Sequence, residues 1–267
     1  MHPVLIHIGD FELATYGFMA ALSWFTCLVV LVIVGKRQGE DPWFVFEVLI
    51  GTAMSGVIGA RLMYVLQHID RYADNPMRAL NLNDGGLVFL PGFFSAVLFI
   101  YLWSRRGGRD GIAYLDMLAP AAALSMGVAR WGCFGAGCCY GRVAEGLPWA
   151  VTFSSELSRA PLGIPLHPTQ VYLAVGNLLL AAYLIWLVEH KKWRGQVIVH
   201  YLVIYALFRS VVEMFRGDSV RGYIVELNFW GDQTPEILST SQGLSILMVV
   251  IAVVFVAYQR KKRSSDS

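Results

Sequence analysis

The stretch LATYGFMAALSWFTCLVVLVIV, residues 13–34, contains no charged side chain over 22 residues. A helix needs about 20 apolar residues to cross the roughly 30 Å hydrocarbon core of a bilayer. The run is too long for the apolar part of a signal peptide, and no basic region precedes it. We therefore expect it to remain in the protein as a transmembrane helix.

The composition of the whole chain is that of an integral membrane protein. Of its 267 residues 56% are hydrophobic and only 15% are charged, and the mean hydropathy is +0.54. Little sequence is left for a separate water-soluble core, so we predict one polytopic membrane domain over residues 1–267, all-α, with seven transmembrane helices. The net charge of +2 excludes nucleic acid as an expected partner. The predicted helices are 13–34, 44–65, 88–103, 112–130, 169–188, 196–212 and 242–258.

Lysines and arginines predict the orientation of these helices. Loops on one side carry twelve of them and loops on the other side carry six. Because basic loops remain in the cytoplasm, the N-terminus is predicted outside and the C-terminus inside. The twelve are Lys36, Arg37, Arg105, Arg106, Arg109, Lys191, Lys192, Arg194, Arg260, Lys261, Lys262 and Arg263, and the six are Arg71, Arg78, Arg142, Arg159, Arg216 and Arg221.

Three further arginines lie inside the apolar runs. Arg61, Arg130 and Arg209 lie at or near the outer ends of the second, fourth and sixth predicted helices. An ionisable residue at membrane depth indicates a functional site, and three cations on one side predict an anionic ligand on the extracytoplasmic side. For Arg61 an alternative stays open, because Gly51, Ser55 and Gly59 are typical of a helix-packing seam beside an arginine that extends to the interface.

A glycine-rich segment follows Arg130. WGCFGAGCCYG, residues 131–141, holds four glycines, each of which costs a helix about 1 kcal/mol against alanine. We predict a broken or re-entrant segment over 130–141, whose free N–H groups assist in binding an anion. A second broken segment is predicted over 85–95, where Pro91 and Gly92 lie near the start of a short apolar run.

Three of the four cysteines fall in the same segment. The spacing of Cys133, Cys138 and Cys139 is not that of a zinc finger, and only His167 offers a fourth ligand, so no metal is predicted. A disulfide from Cys133 to either neighbour and free thiols in the wall of a cavity both remain open. No histidine nearby in sequence supports a nucleophilic cysteine.

Two polar clusters lie near the same predicted face. Arg209 and Glu213, at positions i and i+4 of one helix, are expected to form an ion pair. The motif HPTQVY, residues 167–172, opens the fifth helix with an imidazole, a hydroxyl and an amide. Both clusters are candidates for contacts to a phosphate or to hydroxyl groups.

In order and spacing these motifs resemble the prolipoprotein diacylglyceryl transferase family of bacterial inner membranes. The resemblance covers nearly the whole chain and includes a Gly-Gly-Leu-x-Phe element at 85–89 and Arg-x-x-x-Glu-x-x-Arg at 209–216. It implies a membrane transferase without a cofactor. The diacylglyceryl group of phosphatidylglycerol would pass to the lipobox cysteine in the signal peptide of a prolipoprotein, and glycerol 1-phosphate would leave. It also implies catalytic roles for Arg130, Arg209 and Glu213, and substrate contacts by Arg130, Arg61, Tyr64, Gly137, His167 and Gln170.

The chain departs from the family pattern in two places. Leu90 stands where the family usually has a histidine, and Cys133, Ala136 and Cys138 stand where it has two asparagines and a glutamate. The residues that would bind phosphate are thus kept, and those that would deprotonate the thiol are not. His167, Glu213 or the positive field of the arginines remain as substitutes.

Two alternative functions follow from the departures. The chain could be a divergent protein that binds or transports an anionic lipid, or a transferase with another lipid or acceptor. A transporter is typically built from repeated halves with paired broken helices. No such repeat is found in this sequence.

Overall fold

A computed structural model describes residues 3–8, 11–73, 75–81, 86–108, 110–218, 223–225 and 238–265. These residues form seven α-helices, each of which overlaps one predicted apolar run. The all-α fold is confirmed. The helices are α1 Thr15–Arg37, α2 Pro42–Gln67, α3 Phe89–Arg106, α4 Gly111–Ala136, α5 Thr169–His190, α6 Gln196–Glu213 and α7 Thr240–Ser265.

Six of these helices are long and apolar enough to cross a membrane. The exception among the described helices is α3. It has 18 residues and ends in Arg105 and Arg106, which lower the hydropathy of its last turn. The multi-pass character predicted from the sequence is therefore confirmed.

Short strands lie between the helices and were not predicted from the sequence. They form three antiparallel pairs of at most five residues a strand, which is too short for a clear alternation of apolar and polar residues. The pairs are β1 Val4–Ile8 with β2 Phe11–Ala14, β3 Val151–Thr152 with β4 Pro165–Leu166, and β5 Tyr223–Val225 with β6 Leu238–Ser239. Two 3₁₀ turns, Ile69–Arg71 and Pro76–Leu80, follow α2.

The chain divides into two compact units, which are described separately. One unit comprises residues 31–115 and the other comprises 1–30 with 116–267. The single membrane domain remains a prediction.

In the unit of residues 31–115, α2 packs against α3 along the predicted small-residue seam. A Cβ added to Gly51 would lie 2.0 Å from the Phe99 ring, and one added to Gly59 would lie 1.9 Å from the Ser95 hydroxyl. The two helices therefore approach each other where the side chain is only hydrogen.

In the other unit, a buried carboxylate fixes the start of α6. Asp116, on α4, is fully buried and accepts hydrogen bonds from the backbone N–H groups of Gly195 and Ile198, both at 3.0 Å. The ammonium of Lys191 lies 3.4 Å from the same carboxylate. The carboxylate satisfies donors that the first turn of a helix leaves unpaired, and its charge suits the positive end of the helix dipole.

The two segments predicted to be broken are helical over most of their length, so the prediction is wrong there. Helix α4 continues to Ala136, because Gly132 serves close packing and does not end the helix: its Cβ would lie 2.9 Å from Met19 on α1. Helix α3 is continuous from Phe89, since Pro91 falls in the first turn, where a missing N–H breaks no helical hydrogen bond. Within the two predicted segments, the irregular backbone of the described residues is confined to 86–88 and 137–141.

We predict that Gly59→Ala lowers the stability of the protein by about 1–3 kcal/mol, because the added methyl group meets Ser95 and forces α2 and α3 apart. Thermal unfolding in detergent measures the effect. Gly17→Ala is the matched control: Gly17 lies inside α1 with nothing within 4 Å of its added Cβ, so no loss is expected there. Equal losses in the two variants would contradict the packing role of Gly59.

Candidate functional site

The candidate site is built on the turn that ends α4. Gly137 and Cys139 both have left-handed backbones, with φ of +71° and +59°, and Cys139 is the one non-glycine residue of this kind in the described chain. The Cys138 N–H donates to Cys133 O at 3.1 Å, and the Arg159 N–H donates to Ala136 O at 3.2 Å. The last carbonyls of α4 therefore have partners, and the turn is held on both sides.

Backbone hydrogen bonds join this turn to the ends of two other helices. The Gly141 N–H donates to His167 O at 3.0 Å, just before α5. The Arg142 N–H donates to Phe215 O at 2.8 Å, just after α6. A side chain at Gly141 would lie 2.5 Å from His167 O, so only glycine fits there. The end of α4, the start of α5 and the end of α6 therefore lie together, as the charge pattern predicted.

Three cysteine sulfurs cluster in this turn. The Sγ atoms of Cys133, Cys138 and Cys139 all lie within 4.8 Å of one another, and all three cysteines carry free thiols. Hydrogen bonds from the Cys133 and Cys138 thiols, together with the charges of Arg216 and Arg130, hold the pKa of the Cys139 thiol well below its usual range. Of the two alternatives left open by the sequence, the structure contains the free thiols.

Arg130 lies beside the cysteines, and its guanidinium has donors to spare. Its contacts are to sulfur alone, from Nη1 to Cys133 Sγ at 4.0 Å and to Cys139 Sγ at 3.9 Å. It has no carboxylate or carbonyl partner in the described part of the chain. A half-buried guanidinium with five N–H donors and such weak partners is suited to bind a phosphate.

The predicted pair of Arg209 and Glu213 is confirmed. Nη1 of Arg209 donates to Oε2 of Glu213, and both side chains are buried. This pair satisfies the Arg209 charge inside the helix bundle.

Sequence reasoning missed a second buried pair one turn further on. Arg216 donates two hydrogen bonds to Asp218, from Nε at 2.7 Å and from Nη2 at 2.6 Å. Although burial acts in the opposite direction, these bonds raise the pKa of Arg216 above its usual range. The sequence Arg216-Gly217-Asp218 was the available signal. Arg216 also acts electrostatically on Cys139 and on Glu213, so it connects the sulfur cluster to the pair on α6.

The HPTQ residues hold the turn. Thr169 Oγ1 donates to Cys139 O at 2.6 Å, and Gln170 Nε2 donates to Cys138 O at 2.8 Å. The Gln170 side chain is fully buried, and its Oε1 has no partner among the described residues. His167 Nδ1 lies 3.2 Å from the hydroxyl of Tyr172, which orients the imidazole.

Arg61 and Tyr64 lie in the other unit. The guanidinium of Arg61 is buried and donates to the carbonyls of Arg78, Ala79, Asn81 and Gly86, at 2.8 to 3.3 Å. It also lies 5.6 Å from the ring centres of Tyr64 and Tyr72. These contacts tie the segment after α2 together. Gly85, in the 85–89 motif, lies outside the described residues.

The structure therefore divides the predicted site residues into two groups. The unit with α4 to α7 contains Arg130, Gly137, His167, Gln170, Arg209 and Glu213, and the unit with α2 and α3 contains Arg61 and Tyr64.

Comparison with known proteins gives one consistent family. The family model described as prolipoprotein diacylglyceryl transferase matches residues 3–258. The phosphatidylglycerol–prolipoprotein diacylglyceryl transferase of Clostridium tetani is 32% identical over 253 residues, which cover 95% of this chain and 96% of the relative. The second such enzyme of Clostridium perfringens and that of Finegoldia magna are each 28% identical, over 100% of this chain and 99% of the relative.

We predict that Asp218→Ala destabilises the protein by about 3–5 kcal/mol, because it leaves the buried Arg216 charge without its partner. The double variant Arg216→Met with Asp218→Ala removes both charges and should be clearly more stable than Asp218→Ala alone. Thermal unfolding in detergent compares the two. A double variant no more stable than the single one would contradict the pairing.

Proposed function

This chain belongs to the prolipoprotein diacylglyceryl transferase family, and from that premise we propose how its residues act on phosphatidylglycerol and a prolipoprotein. The protein is a multi-pass membrane transferase of the bacterial cytoplasmic membrane. It transfers the diacylglyceryl group of phosphatidylglycerol to a cysteine thiol of the prolipoprotein, and glycerol 1-phosphate leaves. The site is assigned to the extracytoplasmic face by the distribution of lysine and arginine.

Arg130 differs from the buried arginines of this unit in its hydrogen-bond partners. The buried Arg209 and Arg216 each donate to a carboxylate, whereas among the described residues Arg130 contacts only two sulfurs at about 4 Å. A phosphate group would give its guanidinium the charged, bidentate partner that it lacks. We assign the phosphate of phosphatidylglycerol to Arg130.

An arginine beside the phosphate assists the transfer reaction. The thiolate of the acceptor cysteine attacks the glycerol carbon that bears the phosphate ester. A carbon–sulfur bond forms, the carbon–oxygen bond breaks, and its electron pair goes to the phosphate oxygen. Negative charge therefore grows on the leaving phosphate, where an arginine fixed before the reaction stabilises the transition state.

Arg209 and Glu213 are assigned a second, more distant role. Glu213 orients Arg209, and the positive charge of Arg216 is shared between Glu213 and the sulfur cluster. Arg209 and Arg216 are balanced by Glu213 and Asp218, so the uncompensated positive charge that favours an anionic lipid headgroup is that of Arg130. Because Glu213 already accepts from Arg209, it is a positioning residue and not the proton acceptor.

The remaining predicted contacts receive narrower roles. Gly137 and Gln170 shape the turn beside Arg130, and the fully buried Gln170 acts through its hydrogen bond to Cys138 O, so that substrate contact by Gln170 remains only a prediction. His167 is oriented by Tyr172 at the same end of the unit. Arg61 already donates to four carbonyls, so we assign it and Tyr64 to holding the segment after α2, and phosphate contact by Arg61 remains only a prediction.

We predict that Arg130→Ala lowers turnover by about 100- to 1,000-fold, because it removes the donors that stabilise the leaving phosphate. Arg130→Lys should be intermediate, since an ammonium keeps the charge but cannot make the planar, bidentate contact. The assay supplies phosphatidylglycerol and a lipobox peptide to the purified protein, and measures the mass added to the cysteine and the glycerol phosphate released.

Arg159→Ala is the control for Arg130, because Arg159 is an exposed arginine of the same unit. Its activity should equal that of the parent protein. Full activity in Arg130→Ala would refute the assignment. A parent protein that binds phosphatidylglycerol without modifying the peptide would instead favour the lipid-binding function.

We predict that Glu213→Gln lowers kcat by about 10- to 100-fold, because the amide keeps the shape but no longer anchors Arg209 by charge. The unfolding temperature should fall as well, since the buried Arg209 loses its counter-charge. Glu213→Asp should restore part of the rate, since it keeps the carboxylate. Steady-state kinetics at varied phosphatidylglycerol separates kcat from KM. A Glu213→Gln enzyme with parental kcat would show that the pair is only structural.

A further inference from the structure

The function proposed above leaves the deprotonation of the acceptor thiol without an agent. Leu90 occupies the position of the family's histidine, and no glutamate stands at Cys138. Glu213 is paired with Arg209, and Nδ1 of His167 faces the hydroxyl of Tyr172, so that only Nε2 of this imidazole is left for proton transfer. The thiol has a reference pKa of about 8.5, so most of it is protonated at neutral pH. The sulfur cluster beside Arg130 offers a direct way to favour the thiolate.

The sulfur cluster has the size of a metal site. In a tetrahedral zinc site each Zn–S bond is about 2.3 Å, which places two sulfur ligands roughly 3.8 Å apart. The Sγ atoms of Cys133, Cys138 and Cys139 already lie within 4.8 Å of one another. The left-handed backbone of Cys139 makes this possible for two cysteines that are adjacent in sequence. This turn was not visible in the spacing of the cysteines, from which no metal was predicted.

The charges beside the cluster also suit a thiolate complex. Three thiolates and one Zn²⁺ have a net charge of −1, and a fourth thiolate makes it −2. Arg130 contacts the sulfurs of Cys133 and Cys139, and Arg216 acts electrostatically on Cys139 as well. Arg130, which has no carboxylate partner among the described residues, therefore opposes the charge of the complex, whereas most of the Arg216 charge is balanced by Asp218.

The number of ligands indicates which kind of site this is. In the described part of the chain, no histidine, aspartate or glutamate joins the three sulfurs. Structural zinc sites have four protein ligands, whereas catalytic sites have three and keep one position open. A metal in this cluster would therefore have a position free for an outside ligand.

We propose that Cys133, Cys138 and Cys139 bind one Zn²⁺, whose open fourth position takes the thiolate of the acceptor cysteine. This proposal rests on the proposed function and names the group that activates the thiol. A thiol that coordinates zinc is deprotonated outright, so the ion replaces the missing base.

The step balances without a further reactant. The acceptor thiol binds the ion and releases its proton to solvent. The coordinated sulfur then attacks the glycerol carbon, the carbon–oxygen bond breaks, and the electron pair leaves with the phosphate held by Arg130. The product is a neutral thioether, a weaker ligand than a thiolate, so it dissociates and reopens the position.

The first test measures the metal directly on the full-length protein in detergent, purified under reducing conditions. We expect about one zinc per chain by elemental mass spectrometry. Replacement by Co²⁺ should give the visible bands of a tetrahedral thiolate site. These bands should change when a lipobox peptide is added, and should not change with the same peptide in which serine replaces cysteine.

The second test uses the cysteines themselves. Cys133→Ser, Cys138→Ser and Cys139→Ser should each weaken zinc retention and turnover, whereas Cys27→Ser is the matched control. Cys27 is buried in α1 and is the one cysteine outside the cluster. Removal of zinc by a chelator should lower the turnover of the parent roughly 100-fold or more, and added Zn²⁺ should restore it.

Each contrary result is distinct. Protein without zinc or cobalt bands, a disulfide among the three cysteines, or full turnover after removal of zinc would overturn the metal site and leave the transferase function intact. Cobalt bands that do not change when the cysteine-containing peptide is added would overturn the role of the open coordination position. A zinc-loaded protein that never modifies the peptide would instead refute the proposed function, whatever its spectrum shows.

Discussion

The structure is governed by the cost of removing a guanidinium group from water. A charge in a low-dielectric interior is tolerated only when hydrogen bonds and opposite charges replace its hydration. Three buried arginines meet this requirement in two ways. Arg61 donates to four carbonyls, while Arg209 and Arg216 donate to carboxylates. Half-buried Arg130 meets it only weakly through sulfur among the described residues, and this imbalance is the basis for the anion that we propose at the end of α4.

The hydrogen bonds and ion pairs of the buried arginines also hold the backbone in place. The carbonyls that serve Arg61 belong to the segment after α2, so satisfying the charge fixes that segment. Arg216 and Asp218 lie directly beyond the hydrogen bonds that join the ends of α4 and α6. The same residues therefore satisfy the buried charges and hold the ends of the helices together. This accounts for ordered loops in a unit where the packed helices alone would leave them unconstrained.

The sequence predicted the helices well and their ends less well. Hydropathy depends on long runs of residues, so every apolar run became a helix that starts within two residues of its predicted start. Two helices run past their predicted ends, α4 by six residues and α7 by seven. The glycines after Arg130 led to the wrong prediction of a broken helix, because glycine allows close packing as well as helix breaking. The close contact of Gly132 with Met19 shows that packing is its role here, and this contact is not visible in the sequence. Strands as short as β3 and β4 have no periodicity to detect, and their pairing depends on contacts far apart in sequence. For the site, periodicity was enough to predict the pair of Arg209 and Glu213. The sulfur cluster was not predictable, since it depends on one backbone dihedral angle.

That dihedral angle gives the cysteine at position 139 a cost that its neighbours do not share. The left-handed conformation is disfavoured by about 1 kcal/mol or more for a residue with a side chain, whereas glycine adopts it freely. A glycine at position 139 would therefore relieve the backbone strain of the turn and make the protein more stable. The turn keeps a thiol there at the expense of stability, which is the balance found where a side chain is retained for chemistry and not for folding. The backbone strain at residue 139 thus agrees with the chemical role that we propose for its thiol, and it is a signal that the spacing of the three cysteines alone does not contain.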